Sequence, residues 1–201
     1  MHDGKMNLFK KERELRNQKE KTGTRDLNKK NGEYMKKNCK KVWKFVFLVY
    51  ILILIKLIVF KYPWEYLMDI VKSWEKGVVL EGLATANFTL GKSIRMYIKY
   101  FNKFPFWNGF ANLAGNILVF IPFGFLMPKA YPKCGRWWRV FYCAIGFVMC
   151  IELFQLFSAF GAFDVDDILL NVLGSVIGYS VFAVMRKVKI RIRAGRIYKK
   201  M

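Results

Sequence analysis

The chain has 201 residues, of which 54% are hydrophobic, yet it carries a formal net charge of +21. Its Lys and Arg residues lie in blocks that separate long apolar runs, whereas a soluble basic protein would spread them over its surface. This segregation favours an integral membrane protein of one domain with tails. It argues against a nucleic-acid-binding protein, because such a protein needs a basic surface but no long apolar runs.

The first element is a polar and basic segment at residues 1–41, rich in Lys, Glu, Asn and Arg. It is too long for the charged start of a secretory signal peptide, and no small-residue cleavage site follows the apolar run after it. We therefore expect an uncleaved signal anchor. The low content of apolar residues predicts a disordered cytoplasmic tail.

Four apolar runs approach the length of about 20 residues that a membrane-spanning helix needs. They lie near residues 42–60, 112–127, 137–157 and 167–185. Pro122 breaks the second run, which is also the shortest. In the first run, Lys44 and Lys56 lie near the two ends, from which lysine side chains can reach the headgroups. The prediction is an all-α polytopic domain with four transmembrane helices at 42–185 and a second basic cytoplasmic tail at 186–201.

The distribution of basic residues predicts the orientation of these helices. Residues 1–44 hold 15 Lys or Arg, and residues 186–201 hold 8 with no acid. The link at 128–139 is basic and also has no acid, while the segment at 61–111 offsets 7 basic residues with 4 acidic ones. Because short cytoplasmic loops carry the excess of Lys and Arg, both termini are predicted to be cytoplasmic.

The outer segment at 61–111 contains a candidate amphipathic helix at Thr89–Lys103. Ile94, Tyr97, Ile98 and Phe101 recur at the spacing of one helical face, and the basic residues lie mostly off that face. A helix of this kind can lie in the membrane interface. A lid that covers the helix bundle is an equally good interpretation.

The stretch DVDDILLNVLGSVIGY at 164–179 places polar residues in an apolar run. Asp164, Asp167, Asn171 and Gly174 are spaced 3, 4 and 3 apart, so they share one face of a helix. Gly178 completes a small-xxx-small pair with Gly174, which favours close approach of another helix. Asp164 and its neighbour Asp166 also fit solvated loop acids, and Asp167 fits a helix-capping acid.

Two other predicted spans carry polar residues at the same outer end: Asn112 and Asn116 in the second, Glu152 and Gln155 in the third. Side chains of this kind are costly in hydrocarbon unless they pair, so we expect the three helices to bring them together. They form either a functional site or hydrogen bonds that only fasten the helices. Histidine catalysis within the membrane is excluded because His2 is the only histidine. No structural disulfide is expected, since no cysteine lies in an outer loop.

Three motifs resemble those of the VanZ-like family: NLAGNILVFIPFGFLMP at 112–128, IELFQLF at 151–157 and the stretch at 164–179. Many members of the family carry an Arg just before the Phe-Asp pair of the last motif, where this chain has Gly161 and Ala162. The resemblance implies a multi-pass protein of the bacterial cell membrane. It also implies a role in low-level resistance to the glycopeptide teicoplanin.

We therefore expect a protein that acts at the outer face of the membrane on cell-envelope lipid, a lipid-linked envelope precursor or glycopeptide susceptibility. Glu152, Asp164 and Asp167 are the candidate catalytic residues, and their carboxylates could also hold a divalent cation such as Mg²⁺ or Mn²⁺. The candidate substrate-binding residues are Asn112, Asn116, Gln155 and Asn171. Enzymatic turnover and oligomeric state stay open. The alternatives are a non-catalytic accessory protein and a small transporter.

Overall fold

The computed structural model describes residues 30–35, 37–58, 64–72, 76–99, 106–158 and 161–198. The chain divides into two units, Met1–Val42 and Trp43–Met201. In the first unit, residues 30–35 and 37–42 are helical. The disordered cytoplasmic tail expected at residues 1–41 stays a prediction, and residues 1–29 lie outside the described part.

The second unit is built from helices. Helix α1 covers residues 43–58, and it is followed by α2 (Trp64–Lys72), α3 (Lys76–Thr85), α4 (Lys92–Lys99), α5 (Phe106–Ala130), α6 (Trp137–Ser158) and α7 (Val165–Tyr198). A short 3-10 helix at Pro132–Cys134 connects α5 to α6. The described residues contain no β-strand, and a single bridge pairs Asn87 with Asp164. The all-α prediction is confirmed.

Three helices are long and apolar enough to cross a membrane. They lie at Leu113–Ala130, Trp137–Ser158 and Val165–Arg196, and they correspond to the last three predicted spans. Helix α1 is not among these three, and Lys44 and Lys56 lie within its apolar sequence. The fourth span therefore stays a prediction.

Helix α5 is longer than its sequence indicated. It runs from Phe106 to Ala130 with both Pro122 and Pro128 inside it, so the expected break at Pro122 is wrong. A proline removes one backbone hydrogen bond, but membrane helices tolerate it where neighbouring groups compensate. The close packing of α7 against this part of α5 provides such a neighbour.

Glycines on both helices let α5 and α7 pack backbone against backbone. A Cβ added at Gly174 or Gly178 would collide with the carbonyl oxygen of Ile117 or Ile121 on α5. Gly124 has the reciprocal position, where a Cβ would collide with the Ser175 carbonyl oxygen on α7. The predicted small-residue pair therefore serves packing within the chain.

Helices α1 and α6 complete the core around α5. Leu54 of α1 is fully buried with Phe120 and Phe123 of α5 and with Val140, Ala144 and Val148 of α6. The Tyr50 hydroxyl donates a hydrogen bond of 2.8 Å to the Val119 carbonyl oxygen, which ties α1 to α5. Large apolar side chains remain exposed along α1, α6 and α7, as expected of surfaces that face lipid.

Helix α7 continues beyond the predicted end of the last span. It has 34 residues and reaches Tyr198, so residues 186–198 of the predicted basic tail are helical. At 1.5 Å per residue the helix is about 50 Å long, against a hydrocarbon core of about 30 Å. One end of α7 must therefore extend beyond the apolar part of a membrane.

Candidate functional site

The segment before α4 is attached to the start of α7 by backbone hydrogen bonds. The Asn87 N–H donates to the Phe163 carbonyl oxygen at 2.8 Å, and the Val165 N–H donates to the Asn87 carbonyl oxygen at 3.1 Å. The Asn87 side-chain amide also donates to Asp164 Oδ1 at 2.8 Å. This attachment brings the outer segment to the end of the helix bundle that carries the predicted polar residues.

Asp164 accepts several hydrogen bonds from within the chain. Besides the amide of Asn87, Oδ1 accepts the Asp166 N–H at 2.8 Å, which caps the N-terminus of α7. Oδ2 accepts the Ser93 hydroxyl at 2.5 Å. With three donors on its two oxygens, Asp164 joins α7 to the segment around α4. These contacts give the predicted catalytic acid a structural role.

Asp166 is fully buried, and the interpretation as a solvated loop acid is wrong for this residue. Its carboxylate accepts the backbone N–H groups of Gly91, Ser93 and Ile94, so it caps the N-terminus of α4 from another helix. Gly91 has a φ of +80°, a conformation that glycine adopts without strain. The sequence carries no signal of this role, because the partners of Asp166 are backbone N–H groups.

Helix α4 covers Lys92–Lys99 and is shorter than the predicted Thr89–Lys103. Thr89 lies in the turn before it, and residues 100–103 lie outside the described part of the chain. On the predicted apolar face, Ile94 and Tyr97 are half-buried, but Ile98 is 67% exposed. The helix contacts both α5 and α7, so it partly covers the bundle. Its location in a membrane interface stays a prediction.

Glu152 of α6 is joined to the same cluster. Its side chain is 1% exposed, and Oε2 accepts the backbone N–H of Asp164 at 3.0 Å. The sequence placed Glu152 and Asp164 at the same depth on two helices, and the structure links them directly. A buried carboxylate on an apolar helix is expensive unless it is paired or solvated, which makes Glu152 a candidate functional residue.

Gln155 contacts a different helix from Asn116, another of the predicted binding residues. It is buried, and its amide donates to the Ile58 carbonyl oxygen at 3.2 Å, so it connects α6 to the end of α1. Gly161 lies against this side chain: a Cβ there would be 2.9 Å from Gln155 Nε2. Gly161 and Ala162 stand where the VanZ-like motif has its Arg. In this chain the backbone at Gly161 therefore packs against the Gln155 side chain.

Asn116 and Asn171 flank Asp167 on the facing sides of α5 and α7. The Asn116 amide donates to Asp167 Oδ1 at 2.5 Å. Asn171, one turn further along α7, is 3% exposed, and no described residue donates a hydrogen bond to its buried Oδ1. The side chain of Asn112, the remaining predicted binding residue, lies outside the described side chains.

The structure thus joins most of the predicted residues in two neighbouring groups. Hydrogen bonds join Glu152, Asp164, Asn87 and Ser93 in one group and Asn116 with Asp167 in the other, and Asn171 lies one helical turn from Asp167. Within the described residues, no three His, Cys, Asp or Glu side chains are arranged to hold a metal ion. Glu152, Asp164 and Asp167 therefore do not form a cluster of that kind.

Three long apolar helices with a buried polar cluster at one end define the class of the protein, a helical membrane protein. The family model described as VanZ/LLP1 matches residues 47–186, so the chain belongs to the VanZ/LLP1 family, as its motifs indicated. Protein VanZ of Enterococcus faecium is 28% identical over 82 residues, which are 39% of this chain and 48% of that protein. The chain therefore matches about half the length of this relative. No solved structure matches it.

Proposed function

We propose that this VanZ/LLP1-family protein acts at the outer face of the bacterial cell membrane on cell-envelope lipid or on susceptibility to a glycopeptide such as teicoplanin. The proposed binding site, called the polar cluster below, combines Asn116, Asp167 and Asn171 with Glu152 of the neighbouring group. One observation carries the proposal: the buried Asn171 Oδ1 has no donor among the described residues. A buried acceptor without a donor is destabilising, so its presence favours a donor supplied by a ligand.

The position of the cluster supports action at the outer face. Asn116 lies in the first half of α5, and Glu152 lies in the second half of α6. The link between them, at the opposite end of both, contains Lys133 and Arg136 and no acid. Since basic links favour the cytoplasm, the polar cluster would lie at the external side.

The chemistry of the cluster favours a ligand rich in hydrogen-bond donors. The carbonyl of Asn171 and the carboxylates of Glu152 and Asp167 are acceptors. Sugar hydroxyls and peptide N–H groups, which envelope precursors and glycopeptides both offer, are suitable donors. The proposal requires binding, and turnover is not needed for it.

Helix α4 adds a basic surface beside this end of the bundle. Lys92, Arg95 and Lys99 line an open surface groove of about 270 Å³ together with Thr89 and Met96, and all five residues are exposed. The spacing of the three cations puts them on one face of the helix, and α4 contains no acid. A phosphate group next to the ligand's sugar or peptide part would find a complementary charge here.

The test compares Asp167→Asn and Asn171→Leu with the control Ser180→Ala, an exposed residue of α7. Each variant is expressed in a teicoplanin-susceptible bacterium, and the teicoplanin concentration that stops growth is measured together with the amount of protein in the membrane. We expect resistance from the wild type and the control and its loss in the two cluster variants at equal protein levels. Full resistance in both cluster variants would contradict the proposed site.

A non-catalytic accessory protein is the second candidate, and the saturated carboxylates of Asp164 and Asp166 favour it. Both acids accept several hydrogen bonds from groups of the chain itself, as side chains that fasten helices would do. Under this alternative, substitution of Asp167 lowers the melting temperature in detergent and the protein level together. Lost resistance at an unchanged melting temperature separates the proposed site from this alternative.

A further inference from the structure

An apolar groove of about 370 Å³ lies between α1, α5 and α6, away from the polar cluster. Each helix contributes part of its wall: Phe47 and Ile51 from α1, Phe123 and Met127 from α5, and Cys143 and Phe147 from α6. The groove is open at the surface of the bundle, where the hydrocarbon of a membrane would meet it. Nothing in the proposed function makes use of it.

Contacts between aromatic rings fix the shape of the groove. The rings of Phe123 and Phe147 stack at 5.5 Å between centroids, and the ring of Phe47 lies 5.6 Å from that of Phe123. Tyr131 closes one end and meets Phe47 edge-on at 5.9 Å. Ring pairs of this kind hold one another in place, so the slot exists before any ligand enters.

The groove covers much of the depth of one leaflet. Its longest wall runs from Phe123 to Tyr131, which is eight residues or about 12 Å. Its walls on α1 and α6, Phe47–Ile51 and Cys143–Phe147, are each about 6 Å long. Half of the hydrocarbon core of a bilayer is about 15 Å thick. The slot therefore has room for the part of one acyl chain nearest the headgroup, entering from its Tyr131 end.

That end of the groove is flanked by cations. Lys44 Nζ lies 5.3 Å from the centroid of the Tyr131 ring, and Lys44 shares the face of α1 that carries Phe47 and Ile51. Arg139 shares the face of α6 that carries Cys143 and Phe147. The Arg139 guanidinium donates to the Lys133 carbonyl oxygen, in the link that follows Tyr131, and lies over the Trp138 ring. One cation from α1 and one from α6 therefore lie towards the Tyr131 end of the groove. Glu152 is the only acid in residues 37–58 and 106–158, and it belongs to the polar cluster near the far end of α6.

We propose that the groove binds one anionic phospholipid, with an acyl chain against the aromatic walls and the phosphate between Lys44 and Arg139. The basic link between α5 and α6 would set this mouth at the cytoplasmic leaflet, whose anionic lipids attract Lys and Arg. The site is separate from the polar cluster, so it stands or fails independently of the proposed function.

The test is native mass spectrometry of the full-length protein, purified in detergent and incubated with equal amounts of phosphatidylglycerol and phosphatidylcholine. The wild type is expected to retain phosphatidylglycerol in preference to phosphatidylcholine, with about a fivefold contribution from each cation. The Lys44→Gln/Arg139→Gln double variant should lose the preference. Lys187→Gln, which removes an exposed charge of α7 outside the groove, should keep it.

A second pair of variants tests the acyl slot. Cys143→Trp fills the groove and should reduce retention of both lipids, while Cys150→Trp, at an exposed position of the same helix outside the groove, should not. Equal retention of the two lipids by the wild type, or an unchanged preference in the double variant, would overturn the proposal. If the wild type formed a dimer and Cys143→Trp dissociated it, the groove would bind a second copy of the chain, and the lipid proposal would be overturned. If Cys143→Trp does not fold, the proposal is tested by the lipid preference of the Lys44→Gln/Arg139→Gln variant against that of Lys187→Gln.

Discussion

The carboxylate of Asp166, in the first turn of α7, accepts the backbone N–H of Ser93 at 2.8 Å in the first turn of α4. A long apolar helix therefore caps a short basic one that lies 73 residues earlier in the chain. Asp164 reinforces the junction through the Ser93 hydroxyl and the Asn87 amide. The position of the basic helix beside the polar cluster depends on this junction.

The first prediction concerns that cap. Asp166→Ala removes the acceptor of three backbone N–H groups, and the loss of a helix cap with a charged acceptor costs about 2 kcal/mol. We expect residues 87–99 to exchange backbone hydrogens faster, while residues 113–130 of α5 keep their protection. Hydrogen–deuterium exchange of the protein in detergent measures both regions at once.

Glu65→Ala is the control for Asp166→Ala, because Glu65 is an exposed acid in the first turn of α2. It should leave exchange in residues 87–99 unchanged. If Asp166→Ala also left that exchange unchanged, α4 would be held by its apolar contacts, and the buried carboxylate would not be its anchor.

The second prediction concerns the contact of α5 with α7. Gly174→Ala forces a methyl group against the Ile117 carbonyl oxygen, and overpacking of this kind costs about 1–3 kcal/mol. Gly146→Ala is the matched control, because a Cβ at Gly146 meets nothing within 4 Å. Alanine there should stabilise α6 by about 0.5–1 kcal/mol. Melting temperatures in one detergent should therefore move in opposite directions, and equal shifts would argue against the backbone contact.

The sequence predicted these helices because apolar runs and a 3.6-residue period are local properties. It also predicted that Asp164, Asp167, Asn171 and Gly174 share a helical face. The Asn116–Asp167 hydrogen bond agrees with that prediction, whereas Asp164 precedes α7 and binds the segment around α4. It could not predict that Asp166 caps α4, because the partners are backbone N–H groups, which carry no side-chain signal. The continuity of α5 through Pro122 was missed for a similar reason, since it depends on the packing of a distant helix.

The third prediction separates stability from function within the polar cluster. Asn171→Leu removes a buried acceptor that has no donor among the described residues, and such an acceptor costs about 1–3 kcal/mol. We expect the melting temperature of the ligand-free protein to stay equal or to rise. The same variant is expected to abolish resistance, so a gain in stability would accompany a loss of function.

Asn116→Leu is the comparison for Asn171→Leu, since it removes a donor that Asp167 uses. Interhelical hydrogen bonds in membranes contribute about 0.6 kcal/mol on average, so a small decrease in the melting temperature is expected. A large decrease with Asn171→Leu would show that the Asn171 amide fastens the helices, and the accessory function would then be the better explanation.

The last prediction concerns orientation, on which the outer-face proposal depends. Cys39 is exposed in the first unit, and Ala162 is exposed just before α7, next to the buried Phe163. Two single-cysteine proteins are compared. One keeps Cys39 as its single cysteine, and the other carries Ala162→Cys with all four natural cysteines replaced. Both are treated with a membrane-impermeant maleimide in spheroplasts. The excess of basic residues in 1–44 predicts that Ala162→Cys reacts in intact spheroplasts and that Cys39 reacts only after permeabilisation. The reverse pattern would put the polar cluster on the cytoplasmic side, where an extracellular glycopeptide could not reach it. The groove between α1, α5 and α6 would then face the external leaflet.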